Sequence, residues 1–125
     1  MNGANKNKAV NLETVKKLTS GNMDLVRSII SIYADEVTIQ LKDIENAIVE
    51  NNPVGLDNAA HKFKSSLASL GGLTASDIAR QLEMLGKSGS VEGAAELFKE
   101  LKKEEGRVSA YFKSSEWLTD WGNAI

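Results

Sequence analysis

From Met23 to about Asn51, apolar residues return every three or four positions. Val26, Ile30, Tyr33, Val37, Leu41, Ile44 and Ile48 form one stripe, and Leu25, Ile29 and Ile32 widen its first half. A helix of that length runs roughly 40 Å. Its apolar stripe needs partners along the whole length, so the chain is committed to packing helix against helix.

The rest of the sequence supplies those partners. Asn11 is placed to cap a short helix, Leu12 to Thr19, with Leu12, Val15 and Leu18 on one side. Ser20-Gly21-Asn22 breaks it, and Asn22 caps the long segment. Asn52-Pro53 reads as N-cap and first helical residue, because proline's missing N–H costs nothing there. Leu56, Ala60, Phe63, Leu67 and Leu70 follow as the buried face, and Gly71-Gly72 stops or kinks that helix. A further segment turns Ile78, Leu82 and Leu85 inward, with Ala75 and Ala79 allowing close contact, and ends at Gly86-Lys87-Ser88-Gly89. Ser90 then caps a last helix carrying Val91, Ala94, Phe98, Leu101, Val108 and Phe112, with Gly106 inside it. Lysines and glutamates from Glu96 to Glu105 read as its solvent face, while Tyr33 and Phe63 read as core.

Long amphipathic helices joined by short connections are antiparallel neighbours. The expected fold is all-α: an antiparallel up-down-up-down four-helix bundle with a short extra N-terminal helix. Residues 1–10 read as a flexible leader, 11–113 as the bundle and 114–125 as a tail. In that tail Trp117 and Trp121, four apart with Leu118 between, either dock a final turn onto the bundle or meet another chain.

Composition removes several function classes. The 125 residues hold one histidine and no cysteine, which excludes disulfides, thiolate chemistry and multi-histidine metal sites. A net charge of −2 gives no electrostatic case for nucleic acid. No apolar run reaches the ~18 residues of a membrane span, and the N-terminus has no signal-peptide core. The expected location is the cytoplasm, with no nucleic-acid or membrane partner.

The single histidine, His61, sits in mid-helix about 150° from the centre of the apolar stripe and so faces solvent. Its neighbours one turn away are Asp57 and Asn58 before it, and Lys64 and Ser65 after it. Ala68 and Gly72 continue the same side, small residues that let another protein approach closely. The bland reading is an inert surface histidine. The chemical reading is an imidazole nitrogen attacking an activated phosphoryl group. In that reading Lys64 offers the cation for the phosphoryl oxygens, and Asp57 or Asn58 orients the ring. Ser65 has its hydroxyl free to bond either a phosphoryl oxygen or its own helix backbone.

The run Ala60-His61-Lys62-Phe63-Lys64-Ser65-Ser66-Leu67-Ala68-Ser69-Leu70-Gly71 resembles the signature of histidine-containing phosphotransfer (HPt) domains, His-x-x-Lys-Gly-x-x-x-x-x-Gly. The match places the phospho-acceptor on His61, the accompanying lysine on Lys64 and the second glycine on Gly71. Ser65 departs from the pattern, standing where the family most often has glycine. Leu73 to Leu85, with Gln81-Leu82-Glu83, also looks like the family's following helix.

The resemblance implies an intermediate of a His-Asp phosphorelay, with receiver domains of response regulators and hybrid histidine kinases as partners. Asp57, Asn58, Lys62, Lys64, Ser65, Ala68, Gly71 and Gly72 form the implied docking face. No intrinsic cofactor is implied, and the Mg²⁺ for transfer would come with the receiver. No glycine-rich nucleotide motif is present, so autonomous kinase activity is not expected. Two other readings stand beside this one. One is a non-catalytic helical adaptor or scaffold; the other is the phospho-accepting domain excised from a larger histidine kinase.

Overall fold

A computed structural model of the chain describes residues 9–123. Its helices are α1 (Leu12–Thr19), α2 (Met23–Val49), α3 (Pro53–Ser69), α4 (Leu73–Lys87), α5 (Ala94–Lys113) and α6 (Glu116–Asn123). Among the described residues there is no strand. The packing closes a ring: α2 lies on α3, α3 on α4, α4 on α5, and α5 back on α2. That is the four-helix bundle, with α1 against α2 and α3 and α6 folded back on α5.

Local chemistry accounts for most of the element boundaries. Asn11, Asn22 and Asn52 each accept a backbone N–H three residues on, from Thr14, Leu25 and Gly55 respectively, satisfying a donor the helix leaves orphaned. The α3–α4 connection relies on Gly71, whose φ of 72° is left-handed. Ser90 does not start α5. Its hydroxyl accepts the Glu92 N–H in a turn, and α5 begins only at Ala94, after a left-handed Gly93. Gly106 leaves α5 unbroken.

The core follows the stripes. Val26, Ile44, Leu56, Phe63, Leu67, Leu70, Leu82, Leu101 and Val108 are fully buried, and Tyr33 stacks on Phe63 with ring centroids 6.3 Å apart. Burial departs from the expected pattern at five places. Leu25 and Ile32 are 43% and 56% exposed, because they point away from the sides of α2 that α3 and α5 cover. Leu18 is exposed too; Thr19 is buried in its place, its hydroxyl bonded to the Val15 carbonyl at 2.8 Å. On α5 Tyr111 is buried where Phe112 is only half-buried. Val10, assigned to the leader, is buried in the core, while residues 1–8 of that leader lie outside the described residues.

The fifth concerns Glu105, which is 8% exposed rather than on a solvent face. It continues the spacing of Phe98 and Leu101 toward Val108, so it points inward. Its Oε2 accepts hydrogen bonds from the Tyr33 hydroxyl at 3.1 Å and from the Ser109 hydroxyl. A buried carboxylate met in this way ties α5 to α2.

The tail packs onto the bundle through its aromatic residues. Trp117 is buried edge-on against Phe112, with centroids 5.7 Å apart. The Arg27 guanidinium sits 5.7 Å from the Trp117 ring and the Lys16 ammonium 5.0 Å from Trp121. Among the described residues, no helix is long and apolar enough to cross a membrane.

Candidate functional site

α3 and α4 approach each other closely enough to share side chains, and Gly86 is one reason. A Cβ there would stand 2.6 Å from Pro53 O and 2.6 Å from Asp57 N, so the first turn of α3 lies directly on it. One turn before Gly86, Glu83 reaches back toward the middle of α3.

There it meets both residues that the sequence singled out. His61 Nδ1 is 2.6 Å from Glu83 Oε2, and Lys64 Nζ is 2.8 Å from Glu83 Oε1. The side chains differ sharply in exposure: His61 61%, Lys64 28% and Glu83 6%. The bonds from Lys64, and then from His61, hold the Glu83 carboxyl below the usual carboxylate range against the opposing effect of burial. An ionised carboxylate only accepts, so Nδ1 carries a proton and donates a hydrogen bond to Glu83. In the neutral ring this leaves the lone pair on Nε2, exposed and with a buried anchor behind it. That is the arrangement a nitrogen nucleophile requires.

Glu83 is the residue that sequence reasoning did not assign to the site. It was visible only as part of Gln81-Leu82-Glu83 on the next helix. The orienting role expected of Asp57 or Asn58 goes to it instead. Asp57 is engaged across the helix pair with Lys87 at 3.3 Å. Asn58 and Lys62 turn to the other side, where with Asp43, Asn46 and Glu50 they line an open cleft of about 270 Å³ between α2 and α3.

Ser65 takes the second of its two options. Its hydroxyl donates to the His61 carbonyl at 3.2 Å, and Ser66 and Ser69 bond back to Lys62 and Ser65 in the same way. Ser76, in the first turn of α4, donates to the Lys64 carbonyl at 3.0 Å and pins that part of α3. Ser65 is exposed and Ala68 half-buried beside the ring, so the small-residue face is open up to that point.

Gly71 and Gly72 do not belong to the open face. Both are buried. The Gly71 carbonyl accepts the Asn11 N–H at 2.8 Å, and a Cβ on Gly71 would stand 2.3 Å from Asn11 O. A Cβ on Gly72 would meet Val108 at 3.0 Å. Their small size admits the chain's own N-terminal segment and α5, rather than another protein.

Among the described residues, no three His, Asp or Glu side chains are grouped to hold a metal ion. The chemistry that the arrangement offers is nucleophilic attack from Nε2, with Glu83 behind the ring and Lys64 beside it.

Comparison with known proteins bears on both the chain and the fold. The family model of the Hpt domain matches residues 28–111. The structure is similar to that of histidine-containing phosphotransfer protein B (HptB) from Pseudomonas aeruginosa PAO1. The TM-score is 0.78 at 16% identity, over 94% of this chain and 97% of that one. No curated protein was found to match the chain by sequence.

Proposed function

The chain belongs to the Hpt domain family, and on that premise we propose that it relays phosphoryl groups between receiver domains through His61. The observation that carries the reading is the exposed ring whose Nδ1 is held at 2.6 Å by a buried carboxylate.

In the accepting step, the Nε2 lone pair attacks the phosphorus of a receiver's aspartyl phosphate. The N–P bond forms as the P–O bond to the aspartate breaks, and the aspartate leaves as a carboxylate with the bonding electrons. No proton has to move, because Nδ1–H stays on the ring. The ring gains positive charge as the N–P bond forms, and Glu83, already in contact, stabilises it. The donating step is the reverse, with the aspartate of a second receiver as nucleophile.

The partners under this reading are receiver domains of response regulators and hybrid histidine kinases. They would dock over His61, Lys64, Ser65 and Ala68, with Asp57, Asn58 and Lys62 at the edges. The Mg²⁺ such transfer uses would come with the receiver, where it would offset the charge of the aspartyl phosphate. A cytoplasmic location follows from that partner class.

The test is transfer from a phosphorylated receiver to the wild-type chain and to His61→Gln. The expected product is an acid-labile, base-stable phosphate on the wild type and none on the variant. Equal labelling of the variant, or no labelling of the wild type by a panel of active donors, overturns the reading. Silence across the panel would favour the adaptor instead. Labelling only by an ATP-dependent kinase would identify the domain of a larger kinase.

A further inference from the structure

Glu83 has a different partner on each oxygen, the His61 ring on Oε2 and the Lys64 ammonium on Oε1. The other charged groups nearby are already committed. Lys87 is paired with Asp57 at 3.3 Å, and Arg80, one turn before Glu83, is paired with Asp77 at 2.8 Å. Lys62 lies on the cleft side, toward α2. Among the described residues, Lys64 is thus the cation that Glu83 depends on.

A bare carboxylate in contact with the ring would hinder phosphoryl acceptance by repelling the incoming anion. An ammonium on the opposite oxygen reduces that repulsion. Lys64 is half-buried, with one of its three N–H donors directed at Glu83. Any contact with the phosphoryl oxygens is therefore made by an ammonium already anchored on a buried carboxylate.

Resting on the reading of His61 as acceptor, we infer that Lys64 acts on phosphoryl acceptance chiefly through Glu83, as a positioning residue that neutralises this carboxylate. Binding of the phosphoryl oxygens is secondary to that role. Glu83 is useful behind the ring only while Lys64 shares its charge.

The inference is tested without any receiver, by chemical phosphorylation with phosphoramidate followed by ³¹P NMR. The proteins are the wild type, Lys64→Met, Glu83→Gln, the double variant and Lys64→Arg, each checked for an unchanged helical fold. Lys64→Met is expected to slow labelling about tenfold, and Glu83→Gln by a similar factor. The double variant is expected to be no slower than Glu83→Gln alone, because an uncharged amide behind the ring needs no neutralising. Lys64→Arg, which keeps a cation for Glu83, stays within about threefold of the wild type. If Lys64→Met slows the Glu83→Gln protein by the same factor as it slows the wild type, the two residues act independently and the inference is overturned. A wild-type chain that phosphoramidate does not label overturns the acceptor reading and this inference with it. Labelled wild type with independent effects overturns the inference alone.

Discussion

Glu83 holds His61 from 22 positions away in the chain, its Oε2 2.6 Å from the ring's Nδ1. The contact sets which ring nitrogen carries the proton and leaves the other exposed. Replacing the carboxylate with an amide, in Glu83→Gln, removes that choice, since an amide offers both a donor and an acceptor. The ¹⁵N ring signals of the chain's single histidine should change from one tautomer to a mixture, and receiver-dependent transfer should fall about tenfold. Unchanged ring signals would show that the contact does not select the tautomer.

The same carboxylate gives stability a pH dependence. Its folded-state pKa is lowered, first by the bond from Lys64. The unfolded chain therefore takes up the proton first as pH falls. The stabilisation is complete above the ordinary carboxylate value of about 4.3 and is lost as pH drops through the lower folded value. The difference in melting temperature between wild type and Glu83→Gln should narrow from about pH 6 to about pH 3. A constant difference would mean that Glu83 titrates alike in both states.

At the other end of the scale stands Tyr33. Burial, and then the neighbouring Glu105 carboxylate that its hydroxyl bonds, pushes this phenol far above its ordinary value; Tyr111 is raised likewise by burial and Asp120. A raised folded value means that the unfolded chain loses its proton first. The stability contribution is full below about pH 10 and declines as pH rises beyond it. Tyr33→Phe should cost about 1–2 kcal/mol at neutral pH, because Glu105 loses a buried donor. It should also flatten the fall in melting temperature above about pH 10. An alkaline melting profile identical to the wild type would count against the assignment.

Gly86→Ala tests how the site is held at its base. The new methyl has no room, with Pro53 O and Asp57 N each 2.6 Å from its ideal position. Both are backbone atoms, so α4 must move away from α3 at a cost of about 1–3 kcal/mol. Glu83 lies one turn away and moves with it, so transfer should fall together with stability. A variant with normal stability and normal transfer would show that the helices tolerate separation here.

Much of this protein is legible residue by residue. The stripe from Val26 to Ile48 and that from Leu56 to Leu70 mark α2 and α3. Asn11, Asn22 and Asn52 mark helix starts, because capping depends on a side chain and a backbone N–H three residues away. Ser90 shows the limit of that rule: a serine before an apolar run is equally at home in a turn, and the loop runs on to Gly93. Glu105 was legible in principle, being spaced with Phe98, Leu101 and Val108. Its charge argued for solvent until Tyr33 and Ser109 supplied donors.

The sequence by itself determined the helices, the bundle and the placement of His61 on an exposed helical face with Lys64 one turn on. All of these follow from spacing within a single element, where 3.6 residues per turn converts position into direction. Tertiary structure decided the relations between elements. It brought Glu83 beneath His61, engaged Asp57 with Lys87, and buried Gly71 and Gly72 under Asn11 and Val108. A small residue serves an open face or a close contact equally well, and a glutamate suits solvent or a buried bond. Only the neighbouring helix, whose register the local pattern does not encode, decides between them.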